Sequence, residues 1–546
     1  MRPSSTPSSD PPSRRGWRRK VVARLLLCGL TTLLTFVAGE IFLRHWGGYR
    51  LLSLRLETDP MRSLASLGGG GPGKDRYSLE RYIADAGLTG AEEAWLRASP
   101  PVPQKPPIPP VFVTRHEKAG SYGANHIWND VYARSGDLRG VCPGLDELEC
   151  AYLFHAPWET PYPHYRYPSG ITLSTGLATN RFGYRGPDIT IEKPPGSIRI
   201  ACLGGSTTVC GPGLAHSYPE LLEHFLDLWG AARERPVTFD VINTGRDGIG
   251  AADIAAVVRY EILPLSPDYV LYYEGSNDFD PRSVVQVKDP NVRFRRPPRG
   301  VVPRDRALGS SDGNVLDRLS DHSAVFERIR MLKEATLQSG KEAPKPAQEF
   351  VLPEGVTEAE PDIRLVRGVL NLGKILDALG SIREDMEGAG GKMFLATFHW
   401  RVHDGMVLDP ARHRSLYIYL NRYWWPISYA NMRRAIDFQN RVYAAWAAEN
   451  GVEILDVSGR MPAESDLFLD AIHMLDLGVR IQAWITFRSL IPILERDLDA
   501  GRVPVAATAP PPAEHPYINP SHTRIRLRGG EVRAMPADFR CESSEG

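Results

Sequence analysis

The sequence predicts an α/β fold, a parallel sheet between two layers of helices, carried behind one membrane-spanning helix at the amino end. Three observations predict it. Short, almost wholly apolar runs at Ile198–Leu203, Val237–Ile242, Tyr269–Tyr273, Met393–Phe398 and Val452–Val457 read as strands buried on both faces. Amphipathic segments at about Tyr218–Trp229, Ala251–Ile262, Leu365–Met386 and Asn431–Asn450 alternate with them, and a closing helix runs through about Leu490. Short connections and right-handed crossovers then give a three-layer, flavodoxin-like α/β/α arrangement. The third observation is the stretch Val21–Phe42, interrupted only by Arg24 and Glu40 near its ends, where long side chains can snorkel.

About 20 residues at helical rise cross a bilayer core, so 21–42 fits a single span. Residues 1–20 are rich in Ser, Pro and Arg and are expected to be disordered. Arg14, Arg15, Arg18, Arg19 and Lys20 all precede the span, which places the amino terminus in the cytoplasm and the body outside it, periplasmic or on the cell surface. No A-x-A site follows the apolar run, so the reading is an uncleaved signal anchor; the alternative, a cleaved signal peptide, would give a mature chain starting near Gly39.

Residues 43–110 read as a tether, with Gly68–Gly73 and the proline-rich Pro100–Pro110. Gly68-x-x-x-x-Gly73-Lys74 matches most of a phosphate loop, but Asp75 stands where Ser or Thr would bind magnesium and no strand leads in. Lys+Arg and Asp+Glu are both 65 in the 546 residues, so no basic field recruits nucleic acid. Outside the cytoplasm Cys142 and Cys150 are expected to pair, Cys202 is a packed thiol of the first strand, Cys28 lies in the span, and Cys210 and Cys541 have no assignable partner.

Residues 111–196 form an aromatic, turn-rich accessory region packed on the main domain, ending in Asn180-Arg181-Phe182-Gly183-Tyr184-Arg185-Gly186, which reads as a structural turn or as a loop that approaches the site. The main domain is 197–500. Residues 280–362 interrupt it with Arg293, Arg295, Arg296, Pro297, Pro298 and Arg299 and a helix near Leu316–Ala335; this insertion reads as a lid or as a solvated excursion. Residues 501–546 are a proline-rich tail expected to be little ordered.

Four short stretches fall where a parallel sheet gathers ligands, at the carboxyl ends of its strands. They are Gly204-Gly205-Ser206 after the first strand, Asn243-Thr244-Gly245-Arg246-Asp247-Gly248 after the second, Gly275-Ser276-Asn277-Asp278 after the third, and Asp470-Ala471-Ile472-His473 after the last. Acyl transfer needs these residue types. A serine hydroxyl attacks a carbonyl only when a base takes its proton, and an imidazole oriented by a carboxylate is the usual base. Asp470 and His473, three apart, can supply both. The oxyanion needs fixed donors, which the N–H groups of Ser206 and Gly248 and the amide of Asn277 can provide. The chemistry calls for no cofactor and no metal.

Over roughly Asn180–Leu490 these blocks resemble the SGNH, or GDSL-type, hydrolases, and the Asn180–Arg185 feature resembles a membrane-anchored bacterial branch of them. The resemblance implies that Ser206 is the nucleophile, that Gly248 and Asn277 complete the oxyanion hole, that His473 is the base and that Asp470 orients it. Gly248 is preferred because it stands five residues after Asn243, as in the family's second block; Gly245 is the fallback. The chain departs from the family at Gly205, where the GDS form carries an acid. The implied activity is a serine esterase acting through an acyl-serine intermediate on O-acyl esters, with cell-envelope carbohydrate as the expected substrate. Acyl transfer to polysaccharide and a non-catalytic glycan-binding or assembly role are the alternatives.

Other features have simpler readings. His399, His403 and His413 suggest a metal only if they share a helix, and no H-E-x-x-H accompanies them. His399 and Trp400, at the end of the fourth strand, can instead line a pocket. Glu274 receives no role. The aromatic stretch Tyr417–Tyr429, with Trp424 and Trp425, reads as core packing before it reads as a sugar or lipid platform.

Overall fold

The computed structural model describes residues 14–56, 77–101 and 179–505, with short breaks of which 298–314 is the longest, and short segments between 153 and 166 and between 524 and 534. Cys142, Cys150, Cys541, residues 1–13, the glycine run 68–73 and the proline run from 102 on lie outside the described residues. The chain divides into two compact units, residues 1–63 with 310–336, and residues 64–309 with 337–546.

The first unit is built on α1 (Arg14–Gly47), a single helix of 34 residues. Its part Val21–Trp46 is long and apolar enough to cross a membrane. Leu25, Leu26, Leu30, Leu33 and Leu34 are all exposed, so this part of the helix buries no stripe in a protein core. Thr31, Thr32 and Thr35 donate their hydroxyls to the carbonyls of Leu27, Cys28 and Thr31, so these three hydroxyls find partners within the helix. Glu40 does not snorkel. Its carboxylate accepts from Arg44 Nε at 2.5 Å, Ser323 Oγ at 2.7 Å, Ala324 N at 2.8 Å and Val325 N at 3.1 Å, and so caps the helix Ala324–Leu337 of the insertion. Arg44 donates onward to the carbonyls of Arg50, Ser53 and His322, and Phe36 meets Phe326 with ring centroids 5.7 Å apart. The one insertion helix expected near 316–335 is therefore two, Val315–Ser320 and Ala324–Leu337, separated where Ser323 and Glu40 start the second.

The second unit carries the sheet. Its strands are β1 (Ser197–Gly204), β2 (Thr238–Asn243), β3 (Tyr269–Tyr273), β4 (Lys392–Ala396) and β5 (Glu453–Leu455). They are all parallel, in the order β2-β1-β3-β4-β5. All eight residues of β1 are buried because a strand lies on each side of it and helices cover both faces. Arg199 is tolerated inside β1 because Asp240 Oδ2 takes its Nε at 2.7 Å and the carbonyls of Thr190, Ile191 and Leu265 take the rest.

The helices are α2 (Tyr218–Ala231), α3 (Ala251–Val257), α4 (Leu372–Gly388), α5 (Tyr429–Glu449) and α6 (Asp476–Asp499). Ser217 and Glu220 close a capping box at the start of α2. On one face α2 packs against α6, Phe225 lying edge-on to Trp484 at 5.3 Å; α3 packs against α4 elsewhere on the sheet. At the end of β3 Tyr273 meets Tyr218 of α2 at 5.8 Å, and just beyond the strand the Glu274 carbonyl accepts from Tyr443 of α5. The predicted three-layer architecture is the observed one.

Boundaries differ for local reasons. The fourth strand ends at Ala396, not Phe398, because the Asn440 side chain takes both the N–H and the carbonyl of Phe398 out of the ladder. Helix α4 starts at Leu372, not Leu365, because Leu370 and Asn371 turn the chain with φ of 52° and 59°. The insertion leaves and re-enters this unit through an antiparallel ribbon, Val285–Val287 with Gln348–Phe350, which the proline-rich sequence around it conceals. The tail contributes two short strands, Arg524–Arg526 and Val532–Ala534, and Arg524 pairs with Phe154.

Candidate active site

Ser206 begins a one-turn helix, Ser206–Val209, directly after β1. The two glycines before it are required by what surrounds them. A Cβ on Gly204 would lie 2.4 Å from the carbonyl oxygen of Tyr273, and a Cβ on Gly205 would lie 2.5 Å from Glu274 Oε2. The far end of the turn is held by Arg185, which is buried and donates Nη1 to the carbonyls of Val209 and Cys210 and Nη2 to that of Leu214. Its Nε pairs with Glu220 Oε2 at 3.2 Å. Against that charge, burial pushes the Glu220 carboxyl up, yet the Arg185 guanidinium and the Ser217 bonds win and hold it below its usual range. The Asn180–Gly186 loop is thus a turn, with Asn180 Oδ1 accepting from Phe182 N and Tyr184 N, and it also buttresses the serine.

Asp470 and His473 lie on the loop between β5 and α6, closed by Leu469 N donating to the His473 carbonyl at 2.9 Å and by a bridge from Phe468 to Met474. His473 Nδ1 is 2.8 Å from Asp470 Oδ2, and its Nε2 is 2.8 Å from Ser206 Oγ. Asp470 Oδ1 also accepts the backbone N–H of Ile472 and of His473. Burial opposes a charged His473, but the Asp470 carboxylate beside it outweighs that, with smaller help from Asp247 and Glu274, so the imidazole is raised above its usual value. Burial likewise works against an ionised Asp470, and the His473 charge and three donors reverse it, holding that carboxyl low.

The loops after β2 and β3 close the other side. Arg246 N donates to the carbonyl of Gly204 and Thr244 N to that of Cys202, which fixes the β2 loop to the turn that carries Ser206. Gly245 is pressed against that turn, where a Cβ would lie 2.2 Å from Val209 N, and its own N–H is taken by Asn243 Oδ1 at 3.0 Å. Gly248 is different: it is exposed, with φ of 70° and open space where a Cβ would be. Asn277 Nδ2 donates to the carbonyl of Ile249, the residue after Gly248, at 2.9 Å, and lies 3.4 Å from Glu274 Oε2. Asp278 accepts Ala251 N at 2.6 Å and so starts α3. Burial pushes the Asp247 carboxyl up to about 6, partly offset by His473. The structure therefore joins Ser206, His473 and Asp470 in one hydrogen-bonded chain and ties Asn277 to the backbone beside Gly248.

The three histidines do not share a helix. His399 Nδ1 faces the Ser458 carbonyl and its ring stacks on Phe468, His403 faces the Asp404 carbonyl, and His413 pairs with Asp466. Among the described residues no group of three His, Cys, Asp or Glu is placed to hold a metal ion. Trp400, Tyr417 and Trp425 are buried, and Trp400 packs with Phe279 and Trp424 at 5.4 and 5.6 Å, so that stretch is mostly core. Sequence reading missed Arg185 and Glu274. Their signal, a charge flanking each glycine-rich turn, is visible only once the turns are side by side.

No protein-family model matches the chain, and no curated protein sequence does. Among solved structures, the chain is similar to Axe2, an acetylxylan esterase from Geobacillus stearothermophilus, at 16% identity over 55% of this chain and 96% of that one, with a TM-score of 0.29. It is similar to a lipase/acylhydrolase from Enterococcus faecalis at 14% identity over 54% and 96%, TM-score 0.27. It is similar to a GDSL-like lipase from Bacteroides thetaiotaomicron at 10% identity over 55% and 88%, TM-score 0.26. The sheet domain is a five-stranded parallel α/β fold in the order β2-β1-β3-β4-β5, with Ser206 after β1 held at hydrogen-bond distance from His473 on the loop before α6.

Proposed function

We propose that this protein is a membrane-anchored serine esterase in which Ser206 is the nucleophile, His473 the general base and Asp470 its orienting carboxylate. The observation that carries the reading is the unbroken chain from Asp470 Oδ2 to His473 Nδ1 and from His473 Nε2 to Ser206 Oγ, 2.8 Å at each link. Ser206 Oγ attacks an ester carbonyl while His473 takes its proton. The tetrahedral oxyanion is met by the N–H groups of Ser206 and Gly248 and by the Asn277 amide, which turns to it from the Ile249 carbonyl. Gly248 serves in preference to Gly245, whose N–H is already engaged. His473 then returns the proton to the leaving alcohol, and a water or acceptor hydroxyl, deprotonated by the same imidazole, releases the acyl group from Ser206.

The amino terminus lies in the cytoplasm and the sheet domain outside it, a reading supported by the cations ahead of the apolar span. Esters exposed there on cell-envelope carbohydrate are the substrates that location favours. The test is labelling of the full chain by a fluorophosphonate, lost in Ser206→Ala, followed by an ester panel from acetyl to long acyl with His473→Ala as control. A folded protein that takes no label would refute the enzyme and favour a binding role. Product analysis with a labelled acetyl donor separates hydrolysis from transfer.

A further inference from the structure

Glu274 is a buried carboxylate just beyond β3 that the mechanism above does not use. Its Oε1 accepts from the N–H groups of Gly275, Ser276 and Asn277 at 3.0, 2.6 and 2.8 Å and from Ser276 Oγ at 2.9 Å. Its Oε2 accepts from Gly205 N at 3.1 Å and lies 3.4 Å from Asn277 Nδ2. Among the described residues no lysine or arginine pairs with it; burial pushes this carboxyl above its usual range, against the opposing pull of neutral donors drawn from two different strand ends. Gly205 is the residue before the nucleophile, and Asn277 is the side-chain donor of the oxyanion hole. One carboxylate therefore fixes the separation of the two turns between which the reacting carbonyl must fit.

The position opposite it explains the chain's departure at 205. A Cβ there would lie 2.5 Å from Glu274 Oε2 and 2.4 Å from Asn277 Nδ2, so any side chain collides with the carboxylate and with the amide it orients. We propose that Glu274 is a positioning residue of the active site, which locks the nucleophile turn to the oxyanion-hole turn and fills, from the end of β3, the space that an acid at position 205 would need. This inference rests on the serine-esterase reading. It goes beyond that reading by assigning a function to a residue that does not touch the reacting atoms and by making Gly205 and Glu274 an interdependent pair.

The carboxylate also acts at a distance. The ionisable groups that face His473 are Asp470 on its own loop, Asp247 from the loop after β2 and Glu274 from the end of β3, and each of the three stabilises the imidazolium. Removing the Glu274 charge at constant shape should lower the pH at which the base becomes active, which loss of packing alone would not do.

The test compares Glu274→Gln with the parent, both as full chain in detergent, using p-nitrophenyl acetate hydrolysis and the pH dependence of fluorophosphonate labelling at Ser206. The expected result is a kcat lower by about 10- to 100-fold, less than the about 10²- to 10³-fold for outright loss of an oxyanion donor, a KM changed by less than about threefold, and an acid limb moved to lower pH. A second pair of variants keeps the idea open to refutation if the glutamine protein does not fold. Gly205→Ala should lose activity, and Glu274→Asp, which withdraws the carboxylate by one methylene, should restore at least about tenfold of it in the double variant. A glutamine variant with parental kcat and acid limb, or additive losses in the alanine and aspartate pair, would overturn the assignment. A parent protein that takes no label at Ser206 would overturn it together with the esterase reading.

Discussion

Asp470 grips His473 at two points, Oδ2 to the ring Nδ1 and Oδ1 to the backbone N–H, both at 2.8 Å. The ring is thereby held with Nδ1 as donor and Nε2 as acceptor toward Ser206. Asp470→Asn keeps the shape but lets the amide favour the opposite tautomer. Its kcat for p-nitrophenyl acetate should fall by about 10³- to 10⁴-fold with little change in KM, and Ser206→Ala should remove labelling altogether.

The raised His473 imidazole gives opposite signs for rate and stability. Protonated, it cannot take the Ser206 proton, so activity should fall as pH drops through a value above the usual imidazole pKa of about 6.5. The Asp470–His473 pair stabilises the fold fully below about 6.5, where the unfolded imidazole is also charged, and that contribution is lost as pH rises through the higher folded value. A pH–rate profile and thermal unfolding at several pH values check the two halves separately, and Asp470→Asn should move the kinetic limb downward.

Arg185 pairs its guanidinium with the half-buried Glu220 carboxylate at 3.2 Å. Arg185→Ala leaves that carboxylate with its Ser217 bonds but without the guanidinium, and takes the donor from the carbonyls of Val209, Cys210 and Leu214. Loss of about 3–5 kcal/mol of stability is expected, measurable by denaturant unfolding. Arg185→Ala combined with Glu220→Gln should recover part of it.

Thiol chemistry should follow burial. Cys202 lies inside β1, where burial raises its thiol well above the usual range, and burial pushes Cys210 up to about 11. Maleimide should leave both unmodified in the folded protein and label both in denaturant, read peptide by peptide by mass spectrometry. Rapid labelling of Cys202 in the native state would contradict its place in the sheet.

Much of the sheet domain was legible because its signals are local. Apolar runs such as Tyr269–Tyr273 are buried strands whatever surrounds them, and Asp470 and His473 are close enough in sequence to be read as one loop. What escaped depends on neighbours remote in the chain. Glu274 looks like any residue at a strand end until Gly205, 69 positions earlier, is found donating to it. Glu40 reads as a snorkelling end residue until Ser323, 283 positions later, is found against it. Phe398 reads as strand because it is apolar, and only Asn440 reveals that the ladder has already ended.

The bond network around Glu40 has a bearing on how the catalytic body can leave the membrane. The polypeptide passes between the two units at 63/64, 309/310 and 336/337, so the stalk is only one of its moorings. A protease site placed at 68–73 and cut in isolated membranes should leave the sheet domain in the pellet, because residues 322–326 remain fastened to α1. The same cut in Glu40→Ala should release it to the supernatant. Release by a single clip would then be prevented by one carboxylate, which makes α1 and the insertion helix two joined moorings for one body.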